Sequence, residues 1–584
     1  MEEFKYINEP LLEFSEYKEK HNSNSERYFD KLVKKSKIDV EVNREQTKKI
    51  DNLEEKCNNF SKSFKKLKTW KIINIIFIVL FALVAVGSIL LITLMNMRDI
   101  IVISIAAVSP VFFILTMLLQ FLVIDKKLKN MDDLLKETTK KYNDELAIGL
   151  KQVAPLLYLF RPGMKIHLFN QTMPQAMMDD YFDNQRLGSL VNRYGLNSIT
   201  DKNKMVISSQ SGSINGNPYV FLRTLDHEMG MKKYTGSLVI FWTERSFVNG
   251  RLVAKRKSQT LVATISKPCP YYNYNTFMIF GSNAAQDISF SREPQSIHEM
   301  SEEKRRKFVK KYEKVIDKRK KENVNFTALA NLKFEAYWNS LDRDDEHQYR
   351  LLFSPLAQQN ICKILEDSQI GFGDNFSYFK RKKINYLSHS HLSSLIFEDM
   401  LWSYNRIYSY DTIKKMFMDE QNDYFKKVYF ALAPYFAIPI FQQVKAKEYE
   451  YYDYDGAKLN EFEYERRIAS LDGNLFKHPL VKTRHISKTK YIGQNNGSDR
   501  VLVSDFGYDI IDRIEYVTVY GRDGKMHNVP VPWQEYIRYD RSSEIDIPEQ
   551  KFNVVLGDDE NPEEKNNENT NNLLEGQILG NETN

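Results

Sequence analysis

Hydrophobic and polar positions change their spacing several times along this chain, and each change predicts a different element. From Ile50 the apolar positions fall at Ile50, Leu53, Cys57, Phe60, Phe64 and Leu67, at intervals of three and four. That alternation is a heptad seam. Two apolar segments follow, Ile72 to Met95 and Ile100 to Ile124, separated by Asn96, Met97, Arg98 and Asp99. They have 24 and 25 residues and hold no charge. At about 1.5 Å per residue each helix reaches roughly 36 Å, enough to cross a ~30 Å hydrocarbon core with some tilt. Beyond them the seam resumes at Ile124, Leu128, Met131, Leu135, Thr138 and Tyr142. The pattern predicts an N-terminal two-helix transmembrane hairpin (spans 72–95 and 100–124) extended by an antiparallel coiled coil. The competing arrangement packs each stripe on the globular part or on a second copy.

From about Val153 the period shortens. Met205–Ser208, Tyr219–Leu222, Gly236–Thr243, Thr260–Ile265 and Thr276–Phe280 are short β-branched and aromatic runs between turn clusters such as 211–218. Asn249-Gly250 between strand-like flanks is a hairpin signal. These runs predict a mostly antiparallel sheet, with a helix over Met177–Tyr194 before it. Glu299–Glu322 predicts a strongly basic helix. Strands and helices mix from Phe326 to Phe397. A helical pattern over Asp411–Val444 is broken by Pro434 and Pro439, and a last hairpin joins Arg513–Tyr520 to Met526–Val531. The fold class is therefore α+β, in six stretches: a polar helical extension (1–49), the coiled coil and spans (50–150), a β-rich domain (151–298), the basic helix (299–325), an α+β C-terminal region (326–555) and a disordered tail (556–584).

Charge orients this picture. Lys62, Lys65, Lys66, Lys68 and Lys71 precede the first apolar segment, and Lys126, Lys127, Lys129 and Lys136 follow the second. The connection between them has only Arg98, beside Asp99. Positive flanks stay cytoplasmic, so both termini and the main module are expected there, at the cell membrane. The segment starts too far into the chain, and is too long, for a cleaved signal peptide. A net charge of +6 on 584 residues suits an anionic inner leaflet; nucleic acid is not an expected partner. Three scattered cysteines offer neither a disulfide framework nor a CxxC pair.

Residues 334–355 read FEAYWNSLDRDDEHQYRLLFSP. Through Phe334, Glu335, Arg350, Leu351, Leu352, Ser354 and Pro355 this stretch resembles a family of uncharacterised bacterial two-span membrane proteins, with Ser where that family has Thr. Tyr234, Gly236 and Phe241 resemble its Gly-containing strand, and the order of parts matches over roughly residues 70–400. The resemblance implies architecture and no reaction. The N-terminal extension and everything after Phe397 depart from it.

Candidate chemistry is sparse. Asp342, Asp344, Asp345, Glu346 and His347 form the densest set of possible metal ligands, but lack the glycine and terminal Glu of a calcium loop; a polar turn between two strands accounts for them better. His389 and His391 have a spacing that puts two imidazoles on one strand face, with no third zinc ligand nearby. Asp226, His227 and Glu228 lack HExxH spacing, and Cys269 between Pro268 and Pro270 has no visible activating cation. The aromatic run Tyr449–Tyr454, with Asp453 and Asp455, fits core packing or an interaction edge. No phosphate-binding loop or nucleophile elbow is present. No cofactor is expected. On the basic helix Lys304, Arg305, Arg306, Lys310, Lys311 and Lys314 are candidates for lipid-surface contact, against the plainer account of a solvated face.

The reading that follows is an integral membrane protein holding a cytoplasmic binding module, a scaffold or adaptor with possible self-association or a membrane-protein partner. The alternatives are a membrane-surface enzyme with a metal near Asp342–His347, and a channel or transporter subunit.

Overall fold

The structure, a computed structural model, describes residues 6–94, 100–196, 201–248, 251–323, 325–397, 404, 406–444 and 459–548. It is α+β, with long N-terminal helices and antiparallel sheets. The chain divides into two compact units: Ser25–Pro162 with Met400–Glu420, and Met1–Asn24 with Gly163–Asp399 and Gln421–Asn584. Stretch 299–325, and most of 151–298 and of 326–555, thus share a unit with the first 24 residues.

The helical unit is built on one helix of 55 residues, Val40–Leu94. Its partner runs from Ile100 to Leu119, through a π turn at Gln120–Ile124, and on as Asp125–Leu157. The two are antiparallel. Gln46 donates to Glu145, Lys71 pairs with Asp125, Asn74 meets Gln120, and Phe81 stacks on Phe112. Along both seams the predicted stripe positions are the sheltered ones: Ile50 and Ile124 are buried, and Leu53, Cys57, Phe60, Leu128, Met131 and Leu135 are half-buried. Where the helices press closest, a Cβ on Gly149 would lie 2.8 Å from Ile50 Cδ1. Higher up, the apolar side chains have no cover: Leu83 is 67% exposed, Leu122 66% and Ile100 83%. Two helices are long and apolar enough to cross a membrane.

The other unit carries ten strands among its described residues. β1 (Ala176–Met178), β2 (Lys204–Ile214), β3 (Asn217–Val248), β4 (Arg251–Gly281), β5 (Ser289–Arg292), β6 (Phe376–Arg381) and β7 (Ile384–His389) form a seven-stranded sheet ordered β1-β2-β3-β4-β7-β6-β5. β8 (Ile486–Asn495), β9 (Ser498–Tyr520) and β10 (Met526–Ile547) form a second sheet ordered β10-β9-β8. Both are antiparallel throughout.

Several short runs are parts of much longer strands. Tyr219–Leu222 and Gly236–Thr243 both lie in β3, of 32 residues; Thr260–Ile265 and Thr276–Phe280 both lie in β4, of 31. Tyr219–Leu222 is buried on both faces and Gly236–Thr243 and Thr260–Ile265 on one, whereas much of the strand between and beyond them is exposed and shows no apolar signature. Beyond its pairing with β2, which ends at Asp226, the β3–β4 ribbon stacks on the β9–β10 ribbon. Leu238, Ile240, Leu261 and Ala263 face Val517, Val519, Val529 and Val531 across that stack. Gly236 permits it, because a Cβ there would lie 2.0 Å from the Pro530 carbonyl oxygen.

Other expectations need correction. Met177–Tyr194 is not one helix: Ala176–Met178 pairs with Gly212–Ile214, and only a short helix at Asn184–Gly188 and a π turn follow. Pro434 does not break its helix, which runs from Tyr410 to Phe436. Asp342–His347 does not join strands; it links the helices Leu332–Trp338 and Glu346–Leu352. The turn at 211–218 narrows to Asn215-Gly216, both at positive φ, as a two-residue hairpin requires. The turn residues Asn249-Gly250, the run Tyr449–Tyr454, the 96–99 connection and the tail lie outside the described residues.

Candidate functional site

The acidic set 342–347 is drawn apart by local structure. Asp342 accepts from Ser291 N and Oγ, and Asp344 from Ser289 N. Asp345 caps a helix by accepting from Gln348 N, and Glu346 accepts from Arg343 Nε. His347 is exposed. The four carboxylates face different donors, so the set does not converge on one point. Among the described residues no three His, Cys, Asp or Glu side chains are grouped to hold a metal ion.

His389 and His391 do meet, but not on one strand face: His389 ends β7 and His391 lies in the helical turn Ser390–Ser393. Their rings stack at 4.7 Å. His389 Nδ1 accepts from His391 N at 2.9 Å, and His391 Nε2 lies 2.9 Å from the Gly371 carbonyl. Phe372, Phe376 and Phe430 crowd the pair. Burial holds His389 well below the usual imidazole range, helped by the neighbouring His391 and Arg292, and it lowers His391 too. Two neutral imidazoles in an aromatic pocket are a packing element.

The basic helix spans Glu302–Glu322, with Tyr312 and Ile316 buried. Lys304, Arg306, Lys310, Lys311 and Lys314 are exposed. Arg306 pairs with Glu302, whereas Lys310, Lys311 and Lys314 have no ion-pair partner among the described residues. Arg305 turns inward instead: it donates to the carbonyls of Ile297 (3.0 Å) and Glu366 (3.2 Å), so it is not available to a surface.

Asp226, His227 and Glu228 continue β3, and burial lowers the His227 pKa. Cys269 is buried in β4. Three further polar sets were not anticipated. Arg292 is fully buried against Asp374, and Arg343 is fully buried against Glu335. His485, Ser487 and Asp505 have the composition of a catalytic triad, but Ser487 Oγ donates to Asp505 (2.7 Å) and the His485 atom at Asp505 is Nδ1. The hydroxyl therefore has no base at Nε2 to take its proton. A fourth buried polar group, Lys380, has no acidic partner among the described residues; its Nζ meets the Lys382 carbonyl, and burial lowers its pKa to about 7.

The set with the most organised geometry lies in the helical unit, where the first apolar segment begins and the second ends. Asn74 Nδ2 donates to Gln120 Oε1 (3.0 Å) and to the Thr116 carbonyl (3.0 Å). Gln120 Nε2 donates to Asp125 Oδ1 at 3.0 Å, and Lys71 Nζ sits 2.9 Å from the same oxygen. Asn74 and Gln120 are buried between the helices. The π turn begins at Gln120, and Asp125 N donates to the carbonyl five residues back. A π turn shifts the phase of a helix and is frequent where a helix carries a specific task. Here it sets Gln120 and Asp125 in line with Asn74 and Lys71, pinning the register of the two helices. The sequence carried one signal for this: Asn74 and Gln120 are polar residues near the matching ends of two apolar segments.

No family model, curated protein or solved structure matches this chain.

Proposed function

We propose that this chain is an integral membrane protein, and that its α+β module works by binding, as a scaffold or adaptor for a membrane-associated assembly. The observation that carries the reading is the uncovered apolar surface of the helical pair. In water, each fully exposed Leu or Ile forgoes roughly 1.5–3 kcal/mol of burial. From Ile72 to Leu91 and from Ile100 to Val123 such residues cover the faces that the two helices do not turn toward each other, and a lipid core is the solvent in which they need no cover.

In this reading the pair crosses the bilayer as a hairpin. Lys71 and Asp125 mark the cytoplasmic boundary, Asn74 and Gln120 lock the register just inside it, and the seams continue into the cytoplasm as an antiparallel coiled coil. The nine lysines flanking the apolar segments support cytoplasmic termini. The resemblance to two-span membrane proteins is consistent with this arrangement. Lys304, Arg306, Lys310, Lys311 and Lys314 are offered to anionic headgroups, each worth about 1 kcal/mol near a charged leaflet.

The test is gentle affinity purification of the full chain from its own membranes, with mass spectrometry of what accompanies it, and a reporter Cys at exposed Tyr516. A reproducible protein partner and a reporter shielded from impermeant reagent in intact cells are expected. A reporter labelled from outside sinks the orientation. Carbonate-soluble protein sinks the anchor, and a chain that purifies alone sinks the adaptor.

A further inference from the structure

The last rungs of the β3–β4 ladder, Thr243↔Arg256 to Val248↔Arg251, differ from the rest of the ribbon. Below them, inward residues alternate with outward ones as far as Trp242 and Gln259. Within them, every described side chain from Thr243 to Phe247 and from Leu252 to Arg256 is exposed, on both faces. The β9–β10 turn reaches only the rungs below, where Arg522 N donates to Gln259 Oε1 at 2.8 Å. Six rungs extend a bare ribbon by about 20 Å.

Among the described side chains of that tip the large apolar and the basic residues occupy different rungs, and a further basic residue, Arg251, stands on the last rung. Phe247 is 77% exposed, Leu252 56% and Val253 46%. Phe247 and Leu252 are directly opposed across the ladder, so they form one apolar point. Behind them Arg245, Lys255, Arg256 and Lys257 form a basic collar in which Glu244 neutralises only Lys257. Arg256 lies over the Phe241 ring at 4.8 Å, which leaves its charge facing outward from an aromatic base. An apolar point a few residues long, behind which positive charge follows at once, matches the layering of an anionic bilayer: hydrocarbon within, phosphate at its rim. It does not match a protein groove, which would be met by an extended apolar face, nor nucleic acid, which offers no hydrocarbon.

We infer that the β3–β4 tip is a lipid-contact element: Phe247, Leu252 and Val253 enter the interfacial region of an anionic membrane, and Arg245, Lys255 and Arg256 engage its headgroups. The depth is limited to the tip, because the ribbon's outer edges are unpaired and cannot be buried in hydrocarbon. The inference rests on the tip alone and not on the reading of residues 72–124.

The full chain is reconstituted into vesicles of phosphatidylglycerol with phosphatidylcholine, or of phosphatidylcholine alone, with photoreactive benzoylphenylalanine in place of Phe247. A second preparation carries it in place of Leu83, and a third in place of Tyr516. Lipid adducts at position 247, at least about fivefold more abundant on the anionic vesicles, and absent at position 516, are expected. The variant Arg245→Glu/Lys255→Glu/Arg256→Glu, all at exposed positions, should cut the adduct about fivefold with an unchanged circular dichroism spectrum. Cross-linking of position 247 into a second copy, or no lipid adduct there, overturns the inference. Adducts at 83 without adducts at 247 remove the tip and leave the anchor; adducts at 247 without adducts at 83 do the reverse.

Discussion

Two long hairpins in this molecule, one of helices and one of strands, both carry apolar side chains that no core covers. In the helical pair the bare surface extends over both apolar segments; in the β3–β4 ribbon it is confined to the point around Phe247 and Leu252. The difference follows from the backbone. A helix closes its own hydrogen bonds, so its apolar surface can be lengthened until it spans a bilayer. A two-stranded ribbon leaves one edge of each strand open: among the described residues β3 has no lateral partner but β4 beyond Asp226, and β4 pairs with β7 only from Met278. Its apolar surface has to be buried by stacking, as at Gly236 and Pro530, or kept short. Exposed apolar area therefore means different things in the two places, and its extent along the backbone separates them.

The comparison breaks most visibly if arginine is tolerated equally in both. Leu83→Arg with Leu115→Arg should cost about 2.5–3.5 kcal/mol per residue at mid-span and move the protein into the carbonate-soluble fraction. Phe247→Arg should leave it in the pellet. Equal behaviour would erase the distinction.

A second difference is that the sheet-bearing unit holds a buried ammonium at Lys380 in β6 with no acidic partner among the described residues. Its folded pKa of about 7 lies below the unfolded value near 10.4. Between those values the unfolded chain binds the extra proton, so stability rises with pH. The penalty is complete below pH 7 and fades toward pH 10. Lys380→Met should stabilise this unit by on the order of 3 kcal/mol at pH 6.5 and by far less at pH 10, read from urea midpoints. A gain independent of pH would remove the ammonium as its cause.

Gly236→Val tests the stacked ribbons more gently. The new side chain meets the Pro530 carbonyl, so a loss of about 2 kcal/mol is expected. It should appear as faster amide exchange in the ladders flanking Val531 and Ala263, with exchange in the helical pair unchanged. Smallest is Asn74→Leu, which removes the donor to Gln120 and should cost about 0.6–1.7 kcal/mol. Cysteine pairs across Phe81 and Phe112 should then cross-link in more than one register. A single register would show that the seams suffice without the polar set.

Much of this was legible in local periodicity. The 3-4 alternation from Ile50 and again from Ile124 marks the residues that shelter between the helices, because a helical stripe can be buried only by a partner in phase with it. The basic helix was readable for the same reason. The long strands were not: Lys232, Lys233, Lys255 and Lys257 are exposed positions of β3 and β4, and exposed strand positions carry no apolar signature. Pairing partners brought together by different elements were equally hidden: His485 with Asp505, 20 residues on, and Arg292 with Asp374, 82 residues on, emerged only once separate strands and loops were in place.

By itself the sequence determined the two uncharged apolar helices, their flanking lysines and the α+β class, since each depends on residues a few positions apart. Only the tertiary structure decided that 342–347 is a linker rather than a ligand cluster, that Arg305 points inward, and that two ribbons stack until six rungs stand free. Those outcomes depend on which distant backbone supplies the hydrogen-bond donors and which face is covered, and neither is encoded in local spacing.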